Sequence, residues 1–307
     1  MTMQNPAVAM PVPPPLDPPP LDPPPPGPAS DCPVTRYLGR SPVEAAMGFS
    51  VTHCDHITRL EQPWRPHLCE PGSRRLDCGA LIIAADHAMG HHISRSTPTP
   101  GAATTLNLRL DWHADLSPYA GLSVVPRVVL LHAGVATATA DIRALDDGGL
   151  VATATGAFLV GRFPGNRTSA DVGAPLDLPP VRSTADLPDF AAFLGCVTEE
   201  ERLHLPPSPD FVGMRHVGAF HGGISGALAE YATRPLIDAW RGDSPLRRVS
   251  FEIRYLKPCF VSDALTCRAA ILRQGRTMCV AATDLWQRGA PDAPNVTAVS
   301  TCVRADT

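Results

Sequence analysis

A stretch beginning at Asp77, DCGALIIAADHAMG, is echoed by HGGISGALAEYATR beginning at His221, 144 residues further along a 307-residue chain. A self-similarity at that period means one folding unit is present twice. At this offset Gly79 aligns with Gly223, Ala85 with Ala229, and Asp86 with Glu230. Upstream, AAMG (45–48) parallels AFLG (192–195), and each leads through a strand-like run to a proline. Downstream, LNLRLDW (106–112) parallels FEIRYLK (251–257), and further β-rich runs end in VATATGAFLVG and NVTAVSTCVRA. Each copy therefore reads as a short helix and a strand, a glycine-bearing loop, one helix of about 14 residues, then three or four strands. A single helix followed by a run of strands implies an α+β fold with an antiparallel sheet packed on the helix. In the second helix Ile224, Leu228 and Tyr231 form one apolar stripe; in the first, Leu81, Ile82, Ala85 and Met89 do the same.

Both helices are apolar enough near their starts to be deeply buried, yet each carries an acid there, Asp86 and Glu230. A carboxylate buried without partners costs several kcal/mol. One such residue would be read as exposed or as a cap; two at equivalent positions of a repeat point to chemistry. The loop His221-Gly222-Gly223 adds a second feature. Glycines at a helix N-terminus leave backbone N–H groups uncovered, and the helix dipole helps them meet negative charge. Alone, HGG is equally a tight turn.

Together, His221, Gly222, Gly223, Leu228, Ala229 and Glu230 resemble the hotdog-fold acyl-CoA thioesterases, in particular the phenylacetyl-CoA and 4-hydroxybenzoyl-CoA thioesterase type. YLKP (255–258) is also similar to the strand that follows the helix in that group. The resemblance is good over most of 190–305 and weaker over 40–163. It implies two tandem hotdog domains, each a long central helix wrapped by an antiparallel β-sheet, paired so that sites form between them. It also implies an acyl-CoA substrate, with the first Gly of HGG polarising the thioester carbonyl and an acid from the other unit acting as nucleophile or general base. Carried onto this chain, Gly222 works with Asp86, and Cys78 with Glu230; His221, Gly223 and Gly79 complete the substrate-binding loops. The first copy departs from the pattern, with Asp77-Cys78-Gly79 in place of HGG. The added carboxylate of Asp77 is expected to disfavour an oxyanion there, which favours the Asp86 site. Arg215 stands where relatives often have Asn or Gln; it could bind a carbonyl or phosphate, or form a surface ion pair.

Other chemistries fit less well. His87 and His91 lie at i and i+4, a spacing that can share a metal, but no further ligands are evident, so surface or packing roles are expected and no metal. G-x-S-x-G and nucleotide-binding glycine patterns are absent, and no cofactor is expected. A hotdog hydratase is allowed by the fold, without a recognisable Asp…His dyad. A degenerate, non-catalytic acyl-CoA-binding protein is allowed by the altered DCG loop.

The formal net charge of −4 and the 18% charged content give no electrostatic case for nucleic acid or a membrane surface. The first residues carry no secretion-like pattern, and nine scattered cysteines form no C-x-x-C pair, which suits reduced thiols in a cytoplasmic protein. Residues 1–35 read as a Pro-rich disordered tail, 36–163 as the first hotdog domain, 164–188 as a linker, and 189–307 as the second. Double-hotdog chains commonly pair again, so a homodimer is a further expectation.

Overall fold

In the first half, helix α1 (Pro42–Met47) and strands β1 (Ser50–Cys54) and β2 (Ile57–Pro63) lead to the long helix α2 (Cys78–Ser96), followed by β3 (Ala103–Trp112), β4 (Gly121–His132), β5 (Val135–Ala144) and β6 (Leu150–Val160). The second half repeats that order. Helix α3 (Phe190–Leu194) and strands β7 (Val197–Glu199) and β8 (Arg202–Leu205) come first, then a small pair, β9 (Val212–Met214) and β10 (Ala219–Phe220). The long helix α4 (Gly222–Arg241) follows, then β11 (Leu246–Tyr255), β12 (Leu265–Gln274), β13 (Met278–Trp286) and β14 (Val296–Arg304). This computed structural model describes residues 41–54, 57–97, 102–116, 119–162, 174, 176–288 and 291–305. The Pro-rich tail, 1–35, and the first part of the linker, 164–173, lie outside the described residues.

Twelve strands form one antiparallel sheet in the order β1-β2-β4-β5-β6-β3-β11-β14-β13-β12-β8-β7. Read outward from the centre, the two halves have the same order. They meet where β3 pairs with β11, from Asn107 opposite Arg254 to Asp111 opposite Ser250. The inner faces alternate with period two: Ala136, Ala138, Ala140, Ile142 and Ala144 of β5 are all buried. Small residues on that face let α2 lie close to the sheet.

The two long helices pack on one another and form the centre of the core. Every residue of α2 from Cys78 to Met89 is buried, as are Gly223–Glu230 of α4. Glycine is required where the helices cross. A Cβ on Gly223 would sit 2.5 Å from Ile83 Cα, and one on Gly226 would sit 2.7 Å from Ile82 Cγ2. Half of the HGG signature is thus a packing requirement as well as a backbone one.

Both helices run longer than the apolar stripes imply, 19 and 20 residues against about 14. The extra turns are amphipathic and are held by Ile93, Ile237 and Trp240. Pro235 lies inside α4, where local rules, at a cost of ~3 kcal/mol, would end a helix. Among the described residues no helix is long and apolar enough to cross a membrane. The described cysteines 69, 78, 196, 259, 267, 279 and 302 are all unpaired.

Candidate active site

Asp86 sits two turns into α2, 5% exposed, directly against the start of α4. Its Oδ2 accepts the Gly223 N–H at 2.8 Å, and its Oδ1 accepts the Thr105 hydroxyl at 2.8 Å. Burial pushes its carboxyl up to about 6, even though both hydrogen bonds pull the other way. The group is therefore mostly ionised at pH 7 while remaining basic enough to take a proton. Gly222 is the first residue of α4, and a Cβ there would lie 2.8 Å from Asp86 Oδ2. Its carbonyl accepts the Tyr255 hydroxyl at 2.7 Å, which anchors the Gly222–Gly223 peptide, the unit that follows the Gly222 N–H. Its N–H has no intrahelical acceptor, as for any first helical residue, and stands at the positive end of a 20-residue helix.

His221 caps that helix. Its Nδ1 accepts the Gly223 N–H at 3.1 Å, so in the neutral ring the proton is on Nε2. Burial holds this imidazole down at about 4, so it is neutral near pH 7. Nε2 lies 3.3 Å from His87 Nδ1 and donates to it. The sequence shows no Asp…His dyad, yet folding brings Asp86 Oδ2 to 3.4 Å from His221 Nδ1. Both atoms are acceptors sharing one N–H, so the contact is not an ion pair.

A cavity of about 250 Å³ opens on this constellation. Asp86, His221, Gly222, Thr105 and Tyr255 line it, together with Glu44, His87 and His91. The last two were expected to be surface or packing residues; instead they form part of the cavity wall. Lys257, the single lysine of the chain, lies in the lining as well.

Glu230 occupies the equivalent position in α4, 4% exposed, but its surroundings differ. Arg234 donates to Glu230 Oε2 from Nε at 2.9 Å and from Nη2 at 2.5 Å. The same guanidinium holds both carboxylate oxygens of Asp77 at 2.6 Å. Arg248 approaches Glu230 Oε1 at 3.4 Å and Glu70 at 3.8 Å. Burial alone would raise the Glu230 carboxyl; the two guanidiniums outweigh it and hold the group below the usual carboxylate range.

The contrast comes from two positions. One turn after the acid stands Gly90 in the first helix and Arg234 in the second. Just before a β-bulge in the first long strand of each half stands Thr105 in β3 and Arg248 in β11. In each half the residue before the bulge bonds the acid. Neutral, small partners leave Asp86 facing a cavity; two arginines enclose Glu230. A second cavity, about 550 Å³, reaches Arg234 and Tyr231, but neither Glu230 nor Cys78 lines it.

Asp77 was expected to disfavour an oxyanion as an extra charge. It is fully buried, caps α2 by accepting the Gly79 N–H at 2.8 Å, and has its charge met by Arg234. Cys78 is buried beside Arg234, and the Cβ position of Gly79 is crowded by the Phe190 ring at 2.5 Å. Arg215 is not brought to the cavity lining; its guanidinium donates to the Leu176 carbonyl at 3.2 Å. Among the described residues the one cluster of metal-ligating atoms is Asp77, Cys78 and Glu230, and Arg234 already supplies a cation to both of its carboxylates. Thr105, Tyr255 and His87 were not singled out as site residues from the sequence. Tyr255 opens the YLKP segment, and that was the available signal.

Comparison with known proteins adds to this geometry. Residues 212–305 match the family model for the acyl-CoA thioesterase N-terminal domain, a match that falls on the second half of this chain and includes HGG and Glu230. No curated protein matches the sequence. Among solved structures, the tesB protein of Mycobacterium avium subsp. paratuberculosis is similar with a TM-score of 0.56 at 12% identity, over 85% of this chain and 97% of that one. A protein of Novosphingobium aromaticivorans assigned to the thioesterases gives 0.57 at 15% identity, over 83% and 98%. The 12:0-ACP thioesterase of Umbellularia californica gives 0.50 at 12% identity, over 80% and 94%. Likeness at such identities establishes architecture: the chain is an α+β protein of two tandem hotdog units. Its C-terminal unit carries the acyl-CoA thioesterase domain match.

Proposed function

We propose that this protein is an acyl-CoA thioesterase that hydrolyses its substrate to a free carboxylic acid and CoA at one operative site. The observation that carries the reading is the meeting of Asp86 with the N-terminus of α4 at a cavity. In this reading the thioester carbonyl points its oxygen at the Gly222 N–H. Charge that develops on that oxygen is met by a donor already in place, an effect worth about 10²–10³ in rate for comparable oxyanion holes. Asp86 either takes a proton from an attacking water or attacks the carbonyl itself to give an anhydride that water then opens. The thiolate leaves without a strong acid. The Glu230 half keeps the fold and lacks an open acid.

Arrest of both His221 nitrogens, one by the Gly223 N–H and one by His87, disfavours a hydratase that needs a free imidazole. The degenerate-protein alternative describes the Glu230 half well and the Asp86 half poorly. Domain limits of 36–163 and 189–307, joined by 164–188, belong to the same proposal, as does a homodimer of such chains. The likeness of HGG and YLKP to the phenylacetyl-CoA and 4-hydroxybenzoyl-CoA thioesterase type puts aromatic acyl-CoAs in the test panel beside aliphatic ones. The test is release of free thiol from that panel by purified protein. Turnover on at least one member is expected; no thiol release above the uncatalysed rate from any member would reject the reading.

A further inference from the structure

The two long helices contain five glycines. A glycine inside a helix is destabilising relative to alanine, so each needs a reason. Four have one: a Cβ on Gly79, Gly222, Gly223 or Gly226 would meet another atom at 2.8 Å or less. Gly90 does not. Its φ lies outside the left-handed region, and the atom nearest to a Cβ there, Phe158 Cε1, would stand 3.9 Å away, an ordinary contact. Backbone and packing both permit a side chain at this position. In the other half the equivalent position carries a large one, Arg234.

What Gly90 borders is the cavity. Asp86, Gly90 and Ser94 stand at i, i+4 and i+8 on one face of α2, and all three line it. At 1.5 Å per residue that wall extends about 12 Å from the acid, room for a linear chain on the order of eight carbons. Ala103, Leu106 and Leu159, from β3 and β6, are apolar members of the same lining. Ser94 is the last α2 residue in it; its hydroxyl donates to the Gly90 carbonyl at 2.9 Å and asks nothing of a ligand. Ser94 is 1% exposed, so this end is closed, whereas Leu256, 56% exposed, and the exposed Lys257 lie where the cavity meets water. The phosphates of CoA need water, and an alkyl chain gains by leaving it. The closed end therefore suits the acyl group.

We infer that the bare side of α2 at Gly90 is the passage for the acyl group, so that linear aliphatic acyl-CoAs of about eight carbons are the substrate class and residue 90 sets the chain length accepted. The inference rests on the thioesterase reading for the position of the thioester, and its test is separable from it. The probes are S-ethyl-CoA and S-octyl-CoA, thioethers that cannot be hydrolysed, titrated into the full-length protein by calorimetry. They differ by six methylenes, each worth roughly fourfold in affinity when taken fully out of water; with half of that gain realised, the octyl analogue is expected to bind about sixtyfold tighter to the wild type. Helical side chains lean toward the N-terminus, so Gly90→Leu covers the wall between residue 90 and Asp86 and is expected to bring the ratio below about fivefold. Gly90→Ala narrows the same wall by one carbon and should lower the ratio by about threefold. Alanine suits a helix better than glycine, so this variant keeps or raises the melting temperature and decides the matter if Gly90→Leu fails to fold. A ratio near unity in the wild type would overturn the passage. So would variants that weaken both analogues equally, which would set Gly90 against the pantetheine arm, and so would a wild-type ratio retained by both variants. An octyl preference that depends on residue 90, with no thiol released from any acyl-CoA, would keep the passage and reject hydrolysis. Hydrolysis with a chain-length preference blind to residue 90 would do the reverse.

Discussion

Replacing Arg234 with alanine isolates the group that separates the two halves. Its guanidinium makes hydrogen bonds to Asp77 and Glu230, whose side chains are 0% and 6% exposed. Removing one partner of a buried ion pair costs ~3–5 kcal/mol, because the other charge is left uncompensated. Here two carboxylates lose it at once, with only Arg248 remaining near Glu230. For a chain of this size, about 1 kcal/mol corresponds to roughly 2–4 °C in Tm, so a fall on the order of 6–20 °C is expected at pH 7. The sign of the pH dependence follows from the groups. In the native protein Glu230 is held below its usual range, so its contribution to stability is present above the unfolded value and is lost as pH falls through the folded one. Without Arg234, burial becomes the larger influence and the carboxyl is raised, so its ionisation opposes folding at neutral pH. The variant should therefore regain ground on the wild type between pH 7 and pH 5. Urea denaturation at both values measures this. A loss below about 1 kcal/mol at pH 7, or a gap that does not narrow at pH 5, would refute the view that Arg234 neutralises two buried acids.

Two further outcomes are expected from the Asp86 site. Asp86 is raised to about 6, so its ionised form is held at a cost of a few kcal/mol above that pH. Asp86→Asn should consequently raise stability by about 1–3 kcal/mol at pH 7 and confer no gain at pH 4; a destabilised variant at pH 7 would contradict the assigned shift. The kcat/KM of the wild type should climb through about pH 6 as Asp86 ionises and then level off, and a profile flat from pH 5 to 8 would contradict its role as the base. Tyr255→Phe removes the bond that anchors the Gly222–Gly223 peptide next to the Gly222 N–H; a drop of about tenfold in kcat with a stability change near 1 kcal/mol is expected, and unaltered kcat would show that the turn needs no such anchor.

The repeat at 144 residues implied a duplicated α+β unit with an antiparallel sheet on one helix, and the resemblance carried by His221, Gly222, Gly223 and Glu230 supplied the hotdog arrangement. The repeat also paired Asp86 with Glu230 correctly. Their inequality was visible only in part. The DCG loop gave a signal, but the cause assigned to it, loose negative charge at Asp77, differs from the arrangement found. Asp77 reads as unfavourable only while Arg234, 157 positions away, is not known to reach it. Arg234 itself is one turn beyond Glu230, a spacing that ordinarily means a solvated helix pair. The ring contact between His87 and His221 spans 134 positions and depends on how the helices cross, so no local pattern could show it.

The measurement that bears most directly on the single-site account is thiol release by Asp86→Asn and Glu230→Gln, assayed separately, below the unfolding temperature of each, on a substrate the wild type turns over. Loss of at least about a hundredfold in kcat is expected for Asp86→Asn, on the scale of an oxyanion hole or general base, with Glu230→Gln within about threefold of wild type. Halved rates in each variant would mean that two equal sites operate, and retention of activity in Asp86→Asn with its loss in Glu230→Gln would place the chemistry in the other half.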